Sequence, residues 1–261
     1  MGLLDGKTGL VVGIANDRSY AFHIAKALTE HGAKCAFTCL PGEKNVRRTA
    51  KAIEKLGISD PWLVEMDAAS DDAIQGAADK YGESFDACHF LVHSIAFADR
   101  EWLQMGKFVE TPREAYLGAI DISSYTLLGL CRAFKPIMTQ SGDASVLAMS
   151  YYGAEKVVPG YNVMGVAKSA LECTMRYLAA ELGEHGIRVN TISGGFLRTL
   201  ASSAVGGVDT ISEANVTRSP LRRNVEGSDV GGTAAWLVSD LARGVTAENI
   251  YVDCGVNTIG V

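Results

Sequence analysis

The chain predicts a doubly wound α/β fold, a parallel sheet with helices on both faces. Short apolar runs alternate with amphipathic helical stretches over nearly the whole length. Such runs, bounded by helices, mark strands buried on both faces of a parallel sheet. The β-α order also repeats from end to end, the arrangement that builds consecutive βαβ units. With 261 residues, 48% of them hydrophobic, and no repeat, low-complexity segment or linker, one domain over 1–261 is expected.

The elements follow in order. Thr8 to Ile14 is an apolar run with strand character, and Ser19 to His31 has helical periodicity. Lys34 to Cys39 reads as a strand and Glu43 to Leu56 as a helix. Trp62 to Met66 is the third strand, followed by a helix from Ser70 to Tyr81, and Ala87 to His93 is the fourth strand. One long helical region runs from Pro112 to about Met138, before the short apolar strand Ala144 to Met149. Helix returns over Tyr161 to Leu182, then strand over Arg188 to Ile192. A helix over Ser228 to Leu241 precedes the last strand, Asn249 to Val252. Gly194 to Asn224 breaks the rhythm with Gly, Ser, Thr and Arg. In open α/β sheets ligands bind beyond the carboxyl ends of the strands, so a substrate lid over 195–224 is expected.

Charge and cysteine usage narrow the function. A net charge of −6 and a pI near 5.4 argue against a general nucleic-acid or membrane-surface binder. Cys35, Cys39, Cys88, Cys131, Cys173 and Cys254 form no Cys-x-x-Cys pair and have no histidine cluster beside them, so no metal is expected. Scattered cysteines of this kind suit core positions in a reducing compartment. The first residues lack the long apolar stretch of a signal peptide, and no run approaches the ~18 residues of a membrane span. The expectation is a cytoplasmic protein.

The strand ends carry the candidate cofactor residues. After the first strand, Gly13 supplies a tight turn, and Ser19 is placed to cap the next helix and offer its hydroxyl to a phosphate. At the end of the second strand, an acidic residue would bind ribose hydroxyls and a basic one a 2′-phosphate; Leu40 is neither. Lys44, Arg47 and Arg48 read as one solvated helix face, so the cofactor reading leans to NADH and leaves NADPH open. Asp67 and Ala68 either hold an adenine or begin the cap of the helix near Ser70. His93 is assigned no role.

Tyr161 and Lys168 are the most telling pair. A tyrosine can donate to a developing oxyanion, and a buried lysine can support that tyrosine or bind a cofactor hydroxyl. At helical pitch their seven-residue separation is nearly two turns and puts both on one face. Tyr151 precedes Tyr161 by ten residues, and the position four after Tyr161 is Gly165.

The ordered set Gly13-Ile-Ala-x4-Tyr20-Ala, Asp121-Ile-Ser-Ser-Tyr125, Ser150-Tyr151, Tyr161-x6-Lys168 and Arg198-Thr-Leu-Ala201 resembles the short-chain dehydrogenase/reductase superfamily. More narrowly it is similar to the bacterial enoyl-[acyl-carrier-protein] reductases of type II fatty acid synthesis, across essentially the whole chain. The resemblance implies that Tyr161 donates to the thioester enolate, that Tyr151 is the neighbouring active-site tyrosine, and that Lys168 holds the nicotinamide ribose. It implies cofactor contacts at Gly13, Ser19, Tyr20, Leu40, Asp67, Ala68, Ile95 and Leu197, Arg198, Thr199, Leu200 and Ala201, and a substrate contact at Ala98. It also implies an acyl-carrier-protein partner and a homotetramer built on the long helices. Arg218, Arg222 and Arg223 form a compact basic run that either meets the carrier or serves structural salt bridges and subunit contacts.

Four residues depart from the family pattern. Leu40 stands where a polar or basic side chain is common, Phe196 where proline is usual, and His23 and Cys254 where glycine is common. The long spacing has a chemical rationale. Reduction of an enoyl thioester delivers hydride two carbons from the carbonyl carbon, so the oxyanion partner must sit farther out than in a ketone reductase. Three extra helical residues would move the tyrosine ~4–5 Å along the axis. A ketone reductase of the same superfamily and a non-catalytic nucleotide-binding protein are the competing readings. The first places its lysine four residues after the tyrosine, where Gly165 stands here, so the spacing argues against it; the retained Tyr151, Tyr161 and Lys168 argue against the second.

Overall fold

A computed structural model describes residues 2–197, 213 and 216–260. Seven parallel strands form one sheet in the order β3-β2-β1-β4-β5-β6-β7. They are β1 (Thr8–Val12), β2 (Lys34–Cys39), β3 (Leu63–Glu65), β4 (Phe90–His93), β5 (Ala144–Ser150), β6 (Ile187–Gly194) and β7 (Asn249–Val252). The helices are α1 (Tyr20–Glu30), α2 (Glu43–Glu54), α3 (Asp71–Ser84), α4 (Arg113–Ile120), α5 (Thr126–Ser141), α6 (Asn162–Leu182) and α7 (Gly227–Val238).

The strands are buried on both faces, as their apolar runs require. Leu10 and Val12 of β1 enter one core with Tyr81, Phe134, Leu171 and Met175. Val11, between them, enters the other with Ile24, Leu28, Val230 and Leu237. Strand order reverses between β1 and β4, which pair side by side with Val12 opposite His93. That reversal opens a crevice at the carboxyl end of the sheet. Cys35, Cys39, Cys88 and Cys131 are buried, and burial pushes the thiols of Cys35, Cys88 and Cys131 up to about 12.

Several boundaries differ from the sequence expectation, each for a local reason. β1 stops at Val12 because Gly13 turns to φ 106°. β4 begins at Phe90 rather than Ala87. The Ala87 carbonyl accepts from the Thr8 hydroxyl (2.8 Å) and the Tyr81 hydroxyl (3.0 Å), and the Thr8 amide donates to His89 Nδ1 (3.1 Å), so side chains replace the ladder there. α7 ends at Val238, because Ser239 caps a separate 3₁₀ turn over Asp240–Ala242. The long helical region is not one helix: α4 and α5 are joined by a π-helical turn over Asp121–Tyr125. Apolar periodicity runs through such a turn, which adds one residue without changing composition. No described helix is long and apolar enough to cross a membrane.

His23 is accommodated by the α1–α7 contact. A methyl group at Gly227 would lie 2.1 Å from His23 Cγ, and one at Gly231 would lie 2.6 Å from the His23 carbonyl oxygen. α7 therefore presents bare backbone to the imidazole. Gly227→Ala is expected to destabilise the protein by about 1–3 kcal/mol through overpacking. Urea denaturation of the His23→Ala and double variants should show most of that loss removed when the imidazole is absent.

Candidate active site

The carboxyl ends of β1 to β6 converge on a cavity of about 950 Å³. Among the described residues it is lined by the turns after β1 (Gly13–Asn16), β2, β3 and β4 (Ser94–Arg100), and by Met149–Tyr151 and Gly194–Leu197. Every sequence-predicted site residue that is described borders it: Gly13, Ser19, Tyr20, Leu40, Asp67, Ala68, Ile95, Ala98, Tyr151, Tyr161, Lys168 and Leu197. Arg198, Thr199, Leu200 and Ala201, with most of the expected lid, lie outside the described residues.

The β1–α1 turn brings backbone against backbone. A methyl group at Gly13 would sit 2.2 Å from the Ser94 carbonyl oxygen, and φ there is 106°, so only glycine fits without strain. Ser19 caps α1, its Oγ accepting from the Phe22 amide at 3.3 Å and donating to the Asn16 carbonyl at 2.8 Å. Tyr20 opens α1 and donates its hydroxyl to the Gly195 carbonyl. This ties the turn after β1 to the end of β6.

At the outer end, Leu40 is exposed on the rim. Sequence reading grouped Arg48 with a solvated face, but it lines the cavity, its Nη2 donating to Asn45 Oδ1 at 3.3 Å. Lys44 and Arg47 line a different surface depression. Helical spacing alone would have separated Arg48 from Arg47, since neighbours point about 100° apart. The cap of α3 is Ser70, whose Oγ accepts from the Ala73 amide at 3.2 Å. Asp67 instead holds its own turn, its Oδ1 accepting from the Ala69 amide at 3.0 Å.

The π-helical turn sets the segment after β4. Ser123 clips Phe97 twice, accepting from its amide at 3.1 Å and donating to its carbonyl at 3.3 Å. Thr126 donates to the Ile122 carbonyl at 2.8 Å, and its oxygen meets His93 Nε2 at 2.7 Å. The threonine proton is committed, so His93 Nε2 carries the hydrogen. Burial, reinforced by Lys168, lowers the His93 pKa to about 3 and keeps the ring neutral.

Tyr151 and Tyr161 meet edge to face, with ring centroids 4.8 Å apart. Tyr161 is not on the helical ladder: it precedes α6, and Asn162 has φ 43°. Asn162 holds that kink by donating Nδ2 to the carbonyls of Trp102 (2.8 Å) and Gln104 (2.7 Å). The Tyr161 ring lies over Gly153, where a methyl group would come within 2.5 Å of Cδ1. A methyl at Gly165 would lie 2.7 Å from the Gly153 carbonyl oxygen, so the position four after Tyr161 has no room for a lysine. Burial pushes the Tyr151 hydroxyl up to about 12 and raises that of Tyr161 further, so both are donors at neutral pH. Lys168 is buried and donates Nζ to the Met149 carbonyl at 2.7 Å; desolvation lowers its pKa to about 8.

The family described as "Enoyl-(Acyl carrier protein) reductase" matches residues 13–257. The protein named "Enoyl-[acyl-carrier-protein] reductase [NADH] FabI" of Rickettsia conorii is 44% identical, over 99% of this chain and 97% of its own length. The NADPH-named FabI of Staphylococcus aureus strain MRSA252 is also 44% identical, over 98% of both chains. The Bacillus cereus enoyl-acyl carrier protein reductase, solved with NADP+ and an indole naphthyridinone, has a TM-score of 0.96 and 41% identity, with 100% of both chains covered. The chain belongs to the enoyl-(acyl carrier protein) reductase family.

The departures from this family's pattern now have places. Phe196 is buried and lines the cavity directly after Gly195. Cys254 adopts φ 58°, the left-handed region that its common glycine would enter freely. In the basic run, Arg223 is paired with Asp229 at 2.6 and 3.0 Å, and Arg222 donates to the Thr217 carbonyl. Arg223 thus serves the start of α7. Sequence reading of this reductase missed Arg48, Ser123 and Glu172. Glu172 is buried, accepts from Ser150 Oγ and from Asn249 Nδ2, and stands one helical turn beyond Lys168, a spacing already visible in the sequence.

Gly13→Ala combines a forbidden φ with backbone overlap. It is expected to lower stability by about 2–4 kcal/mol, measured by urea denaturation.

Proposed function

We propose that this enzyme reduces the carbon-carbon double bond of trans-2-enoyl-[acyl-carrier-protein] thioesters with NADH, the last step of fatty acid elongation. The carrying observation is the pairing of two protonated tyrosines with a buried lysine in one cavity, while Gly165 denies lysine the ketone-reductase position. The cavity fits a dinucleotide: a bare glycine turn leads into a capped helix N-terminus at one side, where backbone amides can meet a pyrophosphate. Gly13, Ser19, Tyr20, Leu40, Asp67, Ala68 and Ile95 would border the cofactor, with Leu197 and Arg198 to Ala201 beside them.

When bound, NADH supplies the hydride that the substrate's β-carbon receives. Tyr161 donates a hydrogen bond to the carbonyl oxygen as enolate charge develops there. Tyr151 packs against that ring and holds its orientation. Lys168 anchors the nicotinamide ribose hydroxyls and adds positive charge near the oxyanion. Ala98 borders the acyl chain, and the α-carbon then takes up a proton.

The acidic carrier would meet Arg218 and Arg222, with Arg223 committed to Asp229. A homotetramer is supported by exposed Leu117, Leu128 and Tyr177 on α4, α5 and α6, and the cytoplasm suits the reduced cysteines. Residues 1–261 act as one reductase domain, since a single sheet takes strands from Thr8 to Val252.

Mixing the protein with NADH and a trans-2-enoyl thioester should consume the reduced cofactor. Turnover with ketones alone would refute the reading, as would nucleotide binding without turnover. Tyr161→Phe should lower kcat by at least about 10-fold, because it removes one oxyanion donor, while NADH affinity stays near that of the parent. Leu40→Arg should raise the NADPH-to-NADH ratio of kcat/KM by about 10-fold, the effect of one added charge-assisted contact to a 2′-phosphate of about 1.4 kcal/mol. An unchanged ratio would show that Leu40 lies outside the adenosine end.

A further inference from the structure

The acidic group nearest in chain to Lys168 is Glu172, one turn on along α6, and both side chains are buried. No ion pair joins them directly among the described residues. The link runs through β5: Lys168 Nζ donates to the Met149 carbonyl at 2.7 Å, and the next residue, Ser150, donates its hydroxyl to Glu172 Oε1. The same Oε1 accepts from Asn249 Nδ2 of β7 at 3.3 Å, and Asn249 Oδ1 accepts from the Thr191 hydroxyl of β6 at 3.0 Å. One carboxylate thus ties the end of β5, immediately before Tyr151, to the start of β7 and, through Asn249, to the middle of β6.

Other charged and titratable groups also face Glu172. Burial raises the Glu172 pKa, while the Ser150 hydrogen bond and Arg176, one turn farther along α6, favour its carboxylate. Glu155, after β5, disfavours it, and the Tyr251 hydroxyl of β7 is held by Glu155. Tyr161 also feels its charge. Among the described residues Glu172 is the acidic group that opposes the desolvation of Lys168.

We propose that Glu172 is a positioning residue for the reduction: through Ser150 it fixes the strand end that receives Lys168, and its charge keeps Lys168 an ammonium when the cofactor binds. The proposal rests on Lys168 as the cofactor anchor. It predicts a specific pH signature. The lysine's burial leaves its pKa near 8, so NADH affinity should weaken as pH rises through that value. With the carboxylate removed, only the neutral Met149 carbonyl is left to support the charge, and the weakening should begin at lower pH.

The experiment is NADH titration of the full-length protein, by fluorescence, from pH 6.5 to 9. Glu172→Gln should bind NADH about 10-fold more weakly than the parent at pH 9, the effect of about one unit of lost charge support. At pH 6.5 the two should agree within about threefold. Glu172→Asp keeps the charge and should keep the parent's pH dependence. Ser150→Ala leaves the carboxylate without its hydroxyl donor and should shift the curve the same way as Glu172→Gln, by less. A Glu172→Gln curve parallel to the parent's across the range overturns the proposal. If that variant fails to fold by circular dichroism, a Ser150→Ala curve superimposed on the parent's overturns it instead. Failure of the parent to reduce enoyl thioesters would strike the proposed function, while the NADH titrations would still decide the role of Glu172.

Discussion

A lysine ammonium buried at the end of a parallel sheet constrains everything around it. Unpaired charge in that environment is costly, and the group responds by losing its proton or finding partners. Lys168 has one neutral partner, the Met149 carbonyl, and its pKa falls to about 8. Met149 is in position because β5 is paired on both sides, to β4 and β6, through most of its length. The strand end that presents this carbonyl also presents Tyr151, so Lys168 and Tyr151 are positioned by the same piece of backbone. The sheet is thus the template on which the charge is set, and loops with bare glycine surfaces close around it.

The fold was legible because the strands are buried on both faces, so their apolar runs stand out between amphipathic helices. What was not legible depended on side chains competing with regular structure. Thr8, Tyr81 and His89 replaced ladder bonds at the start of β4 and shortened it. The π-helical turn left no compositional mark, yet it brings Ser123 onto Phe97 and Thr126 onto His93. In the site, glycine turns and tyrosines could be read directly, since few other residues do what they do. Arg48 and Glu172 were harder because charged residues on helices are usually solvated. Glu172 separates from that background by burial against named partners, and Arg48, itself exposed, by the cavity it borders; both emerge only when the helices are docked.

The departures from the family pattern show how the scaffold absorbs change. His23 adds an imidazole to α1 where it packs on α7, and Gly227 leaves the room for it. Two helices in van der Waals contact can exchange bulk across the interface provided the sum is conserved. Cys254 has no such exchange, since the conflict lies in its own backbone at φ 58°. That difference separates a packing substitution, which a neighbour can compensate, from a conformational one, which it cannot.

The spacing of Tyr161 and Lys168 works differently from the helical argument that first suggested it. Seven residues of regular helix would separate the two by about 10 Å along the axis and align them on one face. Tyr161 instead lies before the helix begins, and the left-handed Asn162 turns the chain between them. The tyrosine is therefore placed by the Gly153 surface beneath its ring and by the Asn162 amide gripping Trp102 and Gln104. Lysine and tyrosine are positioned by separate devices, one on a strand end and helix ladder, the other on a kinked cap. That independence frees the tyrosine from the four-residue helical spacing, whose position Gly165 closes to a lysine.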